Sequence, residues 1–370
     1  MVLGPDEAPE GMNAEPATLT SPYAGGKLSE AKESAELGVL LGWTQGFTTP
    51  SAQKGGKVPK AGALGFYSLA STAVVSKDAA AAKTDYDDIT PPTREQKGYK
   101  LEQLDVELGD QARRSSWREK SNFGGTVPFM RISWLRGNAR FALGGYGVKP
   151  ADIDKDALLA LAQQLDKEAT PGAKPALELP EPLGGGAPVV EDSFDDPKSG
   201  FKAEQFTNAA TEYDDGKWLM RVDDGGYIAP FAGKSALRLT DLRVQFDGAV
   251  TSKKGNFGAI CRHGPKDQYY VAAADTDGAV TLGHVTGGKN TRYVALAEVS
   301  DVKVSKKPRV FALHCVGEEL VRLQVHLDGE LVAEAFDLEA SIKSGAPGLY
   351  VETNEAPVTA EFDNFTVFTP

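Results

Sequence analysis

From residue 190 onward the chain alternates apolar and polar residues with a period of two. Leu242, Val244 and Phe246 alternate with Arg243, Gln245 and Asp247, and Val321, Leu323, Val325 and Leu327 alternate with Arg322, Gln324 and His326. Successive side chains of a strand point to opposite faces, so each run predicts a strand with one buried face. Asp328-Gly329 turns the second run back into 330–335, and Asp277-Gly278 turns 269–274 into 279–285. Such pairs supply the positive φ that tight hairpins need. Repeated short strands without a long helical pattern predict a two-layer antiparallel sandwich.

The first part of the chain mixes periods. Strands are predicted over 63–75, 101–108 and 127–134, the last with Met130, Ile132 and Trp134 on one face, and Arg136-Gly137-Asn138 turns it into 139–143. A short helix runs from the Ser29 cap to Gly38, and another covers 79–82 behind a Ser76 cap. The clearest helix spans 154–168, where Leu158, Leu161, Ala162 and Leu165 form one stripe and Asp154 or Asp152 caps it. Residues 1–169 therefore predict an α+β domain with helices on one face of a small antiparallel sheet. Thr170-Pro-Gly-Ala-Lys-Pro175 and the Pro- and Gly-rich stretch 179–188 predict a linker over 170–189. The sandwich follows over 190–370, and 370 residues suit two domains.

With 52 acidic against 40 basic residues, the net charge is −12, and no basic tract interleaved with aromatics occurs. That balance excludes nucleic acid as the expected partner and argues against an electrostatic grip on anionic lipid. No apolar run approaches the roughly 18 residues of a transmembrane helix, so membrane association is expected only through an anchor or a partner. Met1-Val-Leu-Gly-Pro-Asp6 has neither the charged nor the apolar region of a signal peptide, so export is an inference. Its basis is the two cysteines, Cys261 and Cys315, which fall on predicted strands and suggest a disulfide and an oxidising compartment. Two buried thiols in a cytosolic protein are the alternative.

Candidate chemistry is sparse. A laminarinase-type glycosidase needs three acids spaced E-x-D-x-x-E on one strand, whereas Glu361-Phe-Asp363 is followed by Asn364-Phe365-Thr366. His263, His284, His314 and His326 lack the close spacing of a zinc site. Asp192, Asp195 and Asp196 form a candidate structural calcium loop, as do Asp275 and Asp277 with weaker support. No other cofactor and no catalytic residue is expected. Gly144-Gly-Tyr-Gly147 lacks the strand-to-helix setting of a phosphate loop.

Several short motifs carry a family likeness. Asp192-Ser-Phe194-Asp-Asp-Pro197, Gly258-Ala-Ile-Cys261-Arg262, Tyr269-Tyr270 leading to Asp277-Gly278, His314-Cys315-Val316-Gly317, Leu327-Asp328-Gly329, Gly345-Ala-Pro-Gly348-Leu and Phe362-Asp363-Asn364-Phe365 follow one another in order. On these, 190–370 resembles the concanavalin A-like lectin and glucanase superfamily, in particular modules related to laminin G domains and to 3-keto-disaccharide hydrolases. The resemblance implies a jelly-roll sandwich. Glu7-Ala-Pro9-Glu-Gly11, Gly42-Trp43 with Gly46-Phe47, Leu108-Gly109-Asp110-Gln-Ala112, Arg136-Gly137-Asn138 and the 158–166 helix are similar to bacterial extracytoplasmic, often lipid-anchored domains of uncharacterised function. That likeness implies a periplasmic or cell-surface location.

The expected function is therefore non-catalytic binding of a glycan or an envelope protein, including a role as accessory subunit of an envelope assembly. The alternative is a hydrolase or lyase of the 3-keto-disaccharide type. Aromatic faces stack on sugar rings and anchor protein partners, which makes Trp218, Tyr227, Tyr269, Tyr270 and Tyr293 the candidate contacts. Alternation sends one of Tyr269 and Tyr270 inward, and Tyr293 follows the polar run 287–292.

If Cys261 and Cys315 are bonded, closing a loop of about 55 residues stabilises the fold by roughly 4 kcal/mol in the chain-entropy model. Guanidinium unfolding with and without reductant measures it. Two titratable thiols in the native, non-reduced protein contradict the pairing.

Overall fold

The structure is a computed structural model and describes residues 3, 5–53, 60–87, 97–120, 126–168, 179–231, 237–252, 254–288, 291–304, 307–353 and 357–370. The chain divides into two compact units, Met1–Ser21 with Glu33–Leu177 and Pro22–Lys32 with Glu178–Pro370.

In the first unit the described strands form an antiparallel sheet in the order Asn13–Ala14, Val39–Thr48, Phe66–Ser76, Ala139–Gly147, Thr126–Arg136, Gln111–Lys120 and Lys97–Gln103, with Thr18–Thr20 also on Val39–Thr48. One face carries Leu69, Ala73, Met130, Ile132, Trp134, Phe141 and Leu143, and Leu158, Ala162 and Leu165 of the Lys155–Glu168 helix pack into the same core. Asp154 caps that helix by accepting the Ala157 N–H at 2.9 Å. Near its other end Asp166 is paired with Arg136 and accepts the Gly109 N–H at 2.8 Å. The Ala79–Asp87 helix is capped by Asp78, which accepts the Ala81 N–H at 2.8 Å, and not by Ser76. Two strands depart from the expected pattern. Lys97–Gln103 ends before 108, and Gln111–Lys120 comes from Gln-Ala-Arg-Arg-Ser-Ser-Trp-Arg-Glu-Lys, which has too few apolar residues to announce itself.

The second unit is a two-sheet sandwich, antiparallel as the alternation predicts except where Gly25–Lys27 joins it. One sheet runs Glu204–Gln205, Ala209–Asp214, Lys217–Val222, Val358–Phe368, Leu242–Val250, Arg309–Val316, Val321–Leu327 and Glu330–Asp337, with Pro188–Asp192 also on Val358–Phe368. The other runs Gly225–Pro230, Ala346–Thr353, Asn256–His263, Tyr269–Asp275, Val280–Thr286, Arg292–Ser300 and Gly25–Lys27. Phe246, Phe257, Phe311 and Phe362 meet between the sheets, with the Phe246 and Phe311 rings stacked at 5.2 Å. Each such ring removes 150–250 Å² from water, so this cluster dominates the core. Cys261 of one sheet is bonded to Cys315 of the other.

Pro22–Lys32, read from the sequence as part of the first domain, packs with the second unit. Gly25–Lys27 pairs in parallel with Glu298 to Ser300, and Leu28 enters the sandwich core. A three-residue strand paired with a partner some 270 positions away leaves no local signal. Of the proline- and glycine-rich stretch, 170–178 lie outside the described residues. The remainder is held to the sandwich, because Arg322 donates to the Pro180 carbonyl at 3.0 Å and Arg243 to that of Gly184 at 3.4 Å.

Arg262, fully buried at 0% exposure, closes one end of the sandwich. Its guanidinium donates to the carbonyls of Thr240 at 2.7 Å, Ile342 at 2.9 Å and Gly317 at 2.7 Å, with Asp241 at 3.6 Å. The residue has φ 56° and sits where the register shifts between Ile260 and His263, which turns its side chain inward beside Cys261. Arg262→Met removes the donors to one buried carbonyl, that of Ile342, and to two part-buried ones, those of Thr240 and Gly317. Denaturant unfolding is expected to show a loss of roughly 3–5 kcal/mol, as for a broken buried ion pair. A loss below about 1 kcal/mol contradicts this role for Arg262.

Candidate functional site

The sheet containing Tyr269–Asp275 buries one face in the sandwich core through Phe257, Ala259, Tyr270, Ala272, Ala274, Val280, Leu282, Leu349 and Val351. Alternation sends the residues between them to the other face. Register places Tyr350, Gly258, Ala273, Thr281 and Glu298 in one line across five strands. A second line holds Gly348, Ile260, Val271, Gly283 and Ala295. Beyond it lie Tyr269, Val285 and Tyr293, and on the opposite side Glu352, Asn256 and Asp275. The outward face is thus a floor of small and aliphatic residues between tyrosines, with acids and amides at its margin.

Ile260, Val271 and Ala273 are at most 5% exposed although they point away from the core. A Cβ at Gly283 would fall 2.5 Å from the Tyr293 ring, so only glycine lets that ring lie flat on the sheet. Tyr293 still presents 48% of its surface. Burial, then the Glu352 carboxylate and its hydrogen bond, then the neighbouring Tyr269 and Tyr293 raise the Tyr350 phenol well above its usual range. Burial, followed by Glu352 and Asp267, pushes the Tyr269 phenol up to about 12. Burial also leads for Tyr293, opposed by a hydrogen bond to Thr281 and reinforced by Glu352 and Glu298. The three phenols therefore share one acidic surround and stay protonated as donors near neutral pH.

Asn256 donates to Glu352 at 3.4 Å, while its buried Oδ1 has no partner. His263 closes the margin, its ring 5.9 Å from that of Tyr269.

The structure brings together only two of the five aromatic residues proposed from sequence. Tyr269 and Tyr293 share the outward face. Tyr270 turns inward, fully buried, and donates to Asp337 at 2.6 Å. Trp218 is also fully buried, packed against Phe194, Phe201 and Tyr213, because its strand position pairs with the core residue Phe362. Tyr227 pairs with Val351 and so faces the core side, where its hydroxyl donates to Glu204 at 3.1 Å beside Phe206. These three do not belong to the site. Tyr350, Glu352, Asn256, Thr281 and Gly283 were not singled out from sequence, although the alternation Leu349-Tyr350-Val351-Glu352 carries the signal for two of them.

The candidate calcium carboxylates lie in or beside turns. Asp192 accepts from the Phe194 N–H at 2.8 Å and the Ser199 hydroxyl at 2.7 Å, Asp195 from Ser193 at 2.8 Å, and Asp196 from the Lys198 N–H at 2.9 Å. Each carboxylate serves its own turn. Asp275 accepts the Asp277 N–H at 2.6 Å, and Lys254 lies 3.2 Å from Asp277. Among the described residues no group of three His, Cys, Asp or Glu side chains is placed to hold a metal ion.

No protein-family model matches the chain, and no curated protein matches it. Among solved structures it is similar to a carbohydrate binding module from Bacillus subtilis, at 18% identity and TM-score 0.38 over 46% of this chain and 96% of that one. It is also similar to a protein of unknown function with a galectin-like fold from Bacillus subtilis, at 11% identity and TM-score 0.39 over 51% and 98%. A prokaryotic β-1,3-1,4-glucanase (lichenase) from a mouse hindgut metagenome follows at 14% identity and TM-score 0.34 over 49% and 98%.

Because Glu352 contributes to the raised pKa of both Tyr350 and Tyr269, Glu352→Gln is expected to lower both, Tyr350 more. Tyrosine Cζ resonances followed in alkaline titration measure it. Unchanged titration of both rings shows that the carboxylate does not face them.

Proposed function

We propose that the second unit is a concanavalin A-like, glycan-binding jelly roll and that the outward tyrosine face is its contact surface. The observation that carries this reading is the convergence of Tyr269, Tyr293 and Tyr350 on one outward face, where Glu352 and Thr281 are the hydroxyl partners of Tyr350 and Tyr293. Tyrosine presents an apolar ring and a polar tip, which match the C–H face and the hydroxyls of a sugar. Glu352, Glu298, Thr281 and Asn256 supply acceptors around it. The negative margin favours neutral saccharides, since a uronate or sulfate would meet Glu352 and Glu298 as like charges.

The first unit, an antiparallel sheet with a helix against one face, is read as a separate α+β domain. The inter-sheet disulfide favours an oxidising compartment, which supports reading the chain as a protein that acts outside the cytoplasm. There it acts as a binding protein that joins a glycan to an envelope partner. A hydrolase or lyase of the 3-keto-disaccharide type needs carboxylates free to flank a scissile bond. Glu352 is instead engaged by Tyr350 and Asn256, and Glu361 by Lys217 at 2.6 Å.

Replacing Tyr293 and Tyr269 with Ala, singly, is expected to weaken binding of neutral β-glucan oligosaccharides about tenfold each, as for a contact worth about 1.4 kcal/mol. Calorimetric titration provides the affinities, and the melting temperature of the Tyr293 variant should stay within about 3 °C of the parent. Unchanged affinity with a large fall in melting temperature shows that the rings are structural and the contact surface lies elsewhere.

A further inference from the structure

The first unit's sheet has a second face, opposite the one that packs on the Lys155–Glu168 helix. Part of it is covered where Ala82 and Tyr86 of the Ala79–Asp87 helix meet Leu135. Elsewhere a cavity of about 230 Å³ opens. Its floor is the register line Ala70, Gly144 and Arg131, in which two small residues leave a dent beside a guanidinium. A Cβ at Gly144 would lie 2.6 Å from the Arg131 Cα and 2.4 Å from the Met130 carbonyl, so a larger residue cannot fill the dent without moving the strand. Phe129 and Tyr146 form an aromatic wall, their centroids 4.8 Å apart, while Ser68 and Thr72 add hydroxyls.

Three arginines approach this face, and they differ in what they hold. Arg140 is paired with Asp85 at 2.6 Å. Arg113 donates to the Tyr86 carbonyl and lies 4.2 Å over its ring. Among the described residues Arg131 has a ring contact only, 5.7 Å over Trp117, and its buried Nε has no partner. The nearby Glu119 accepts from Trp117 at 3.3 Å and Tyr146 at 3.2 Å, so its hydrogen bonds go to the aromatic wall. Burial, then the charges of Arg140 and Arg113, disfavours the Arg131 cation, Tyr99 opposes them weakly, and no carboxylate among the described residues offsets them. A buried cation of this kind is ordinarily paired.

We propose that this cavity binds a carboxylate-bearing ligand of sugar-acid size. The carboxylate sits on the Arg131 fork with Arg140 alongside, the ring lies against Phe129 and Tyr146, and its hydroxyls reach Ser68 and Thr72. Planar guanidinium and planar carboxylate match in a way that a lysine does not reproduce. The assignment is independent of the tyrosine face of the sandwich, whose margin has the opposite charge.

The test is calorimetric titration of the full chain at low salt with glucuronate, glucose and inorganic sulfate as probes. Glucuronate is expected to bind at least tenfold tighter than either of the others. Arg131→Gln should weaken it tenfold or more, and Arg131→Lys should recover only part of the loss. If Arg131→Gln does not fold by circular dichroism, the Arg131 Nε resonance of the parent decides, shifting with glucuronate and not with glucose. Equal binding of glucose and glucuronate, full affinity in Arg131→Gln, or an unmoved Nε resonance overturns the site. Sulfate binding as tightly as glucuronate overturns the sugar-acid class.

Discussion

The buried Arg262 guanidinium fixes how one end of the sandwich is built. Its donors satisfy carbonyls from the approach to the Leu242–Val250 strand, from the turn after Arg309–Val316 and from the segment before Ala346–Thr353. A charge removed from water is tolerated only when such partners surround it. The bulge that turns Arg262 inward also leaves Cys261 facing the core, where Cys315 meets it. Arg262 lies 5.8 Å from the Tyr270 ring, and Tyr270 donates to Asp337. Burial would raise the Asp337 pKa, yet hydrogen bonds from Tyr270, Ser341 and Glu339 outweigh it and hold the carboxyl below its usual range. With Tyr270 locked inward, strand alternation leaves Tyr269 no orientation but outward. Position in the core thereby sets geometry at the surface.

The two faces argued to bind ligands follow the same construction rule with opposite charge. In each, glycine opens a dent in a sheet and aromatic rings line it. Gly283 lets Tyr293 lie flat in the sandwich, and Gly144 makes room beside Arg131 in the first unit. Around the first dent lie Glu352 and Glu298, and around the second Arg131 and Arg140, with Asp85 paired to Arg140 and Glu119 bonded to the aromatic wall. On the two proposed readings, that difference is what discriminates neutral from acidic sugars, since a desolvated like charge costs more than a lost stacking contact.

Alternation and turn chemistry made the sandwich legible. The 242–246 and 321–327 runs and both Asp-Gly turns lie where their spacing puts them. The same alternation also separates Tyr269 from Tyr270, but which of the two faces inward depends on the register of neighbouring strands. Trp218 was misread for that reason, since a lone aromatic on a strand has no intrinsic side. Tyr350 was overlooked between Leu349 and Val351, and Gln111–Lys120 was hidden by polar residues that pack through Arg113 and Trp117. Pairing of Gly25–Lys27 with a distant strand is set by tertiary contact alone. Local pattern thus recovers elements, whereas the site arises from register.

The most direct measurement is a titration of the chain, labelled with 13C at tyrosine rings, against a neutral β-glucan hexasaccharide. The account predicts that the ring resonances of Tyr269, Tyr293 and Tyr350 move together while those of Tyr227 and Tyr270 stay in place. Binding that leaves the first three unmoved, or that moves Tyr227 instead, contradicts it.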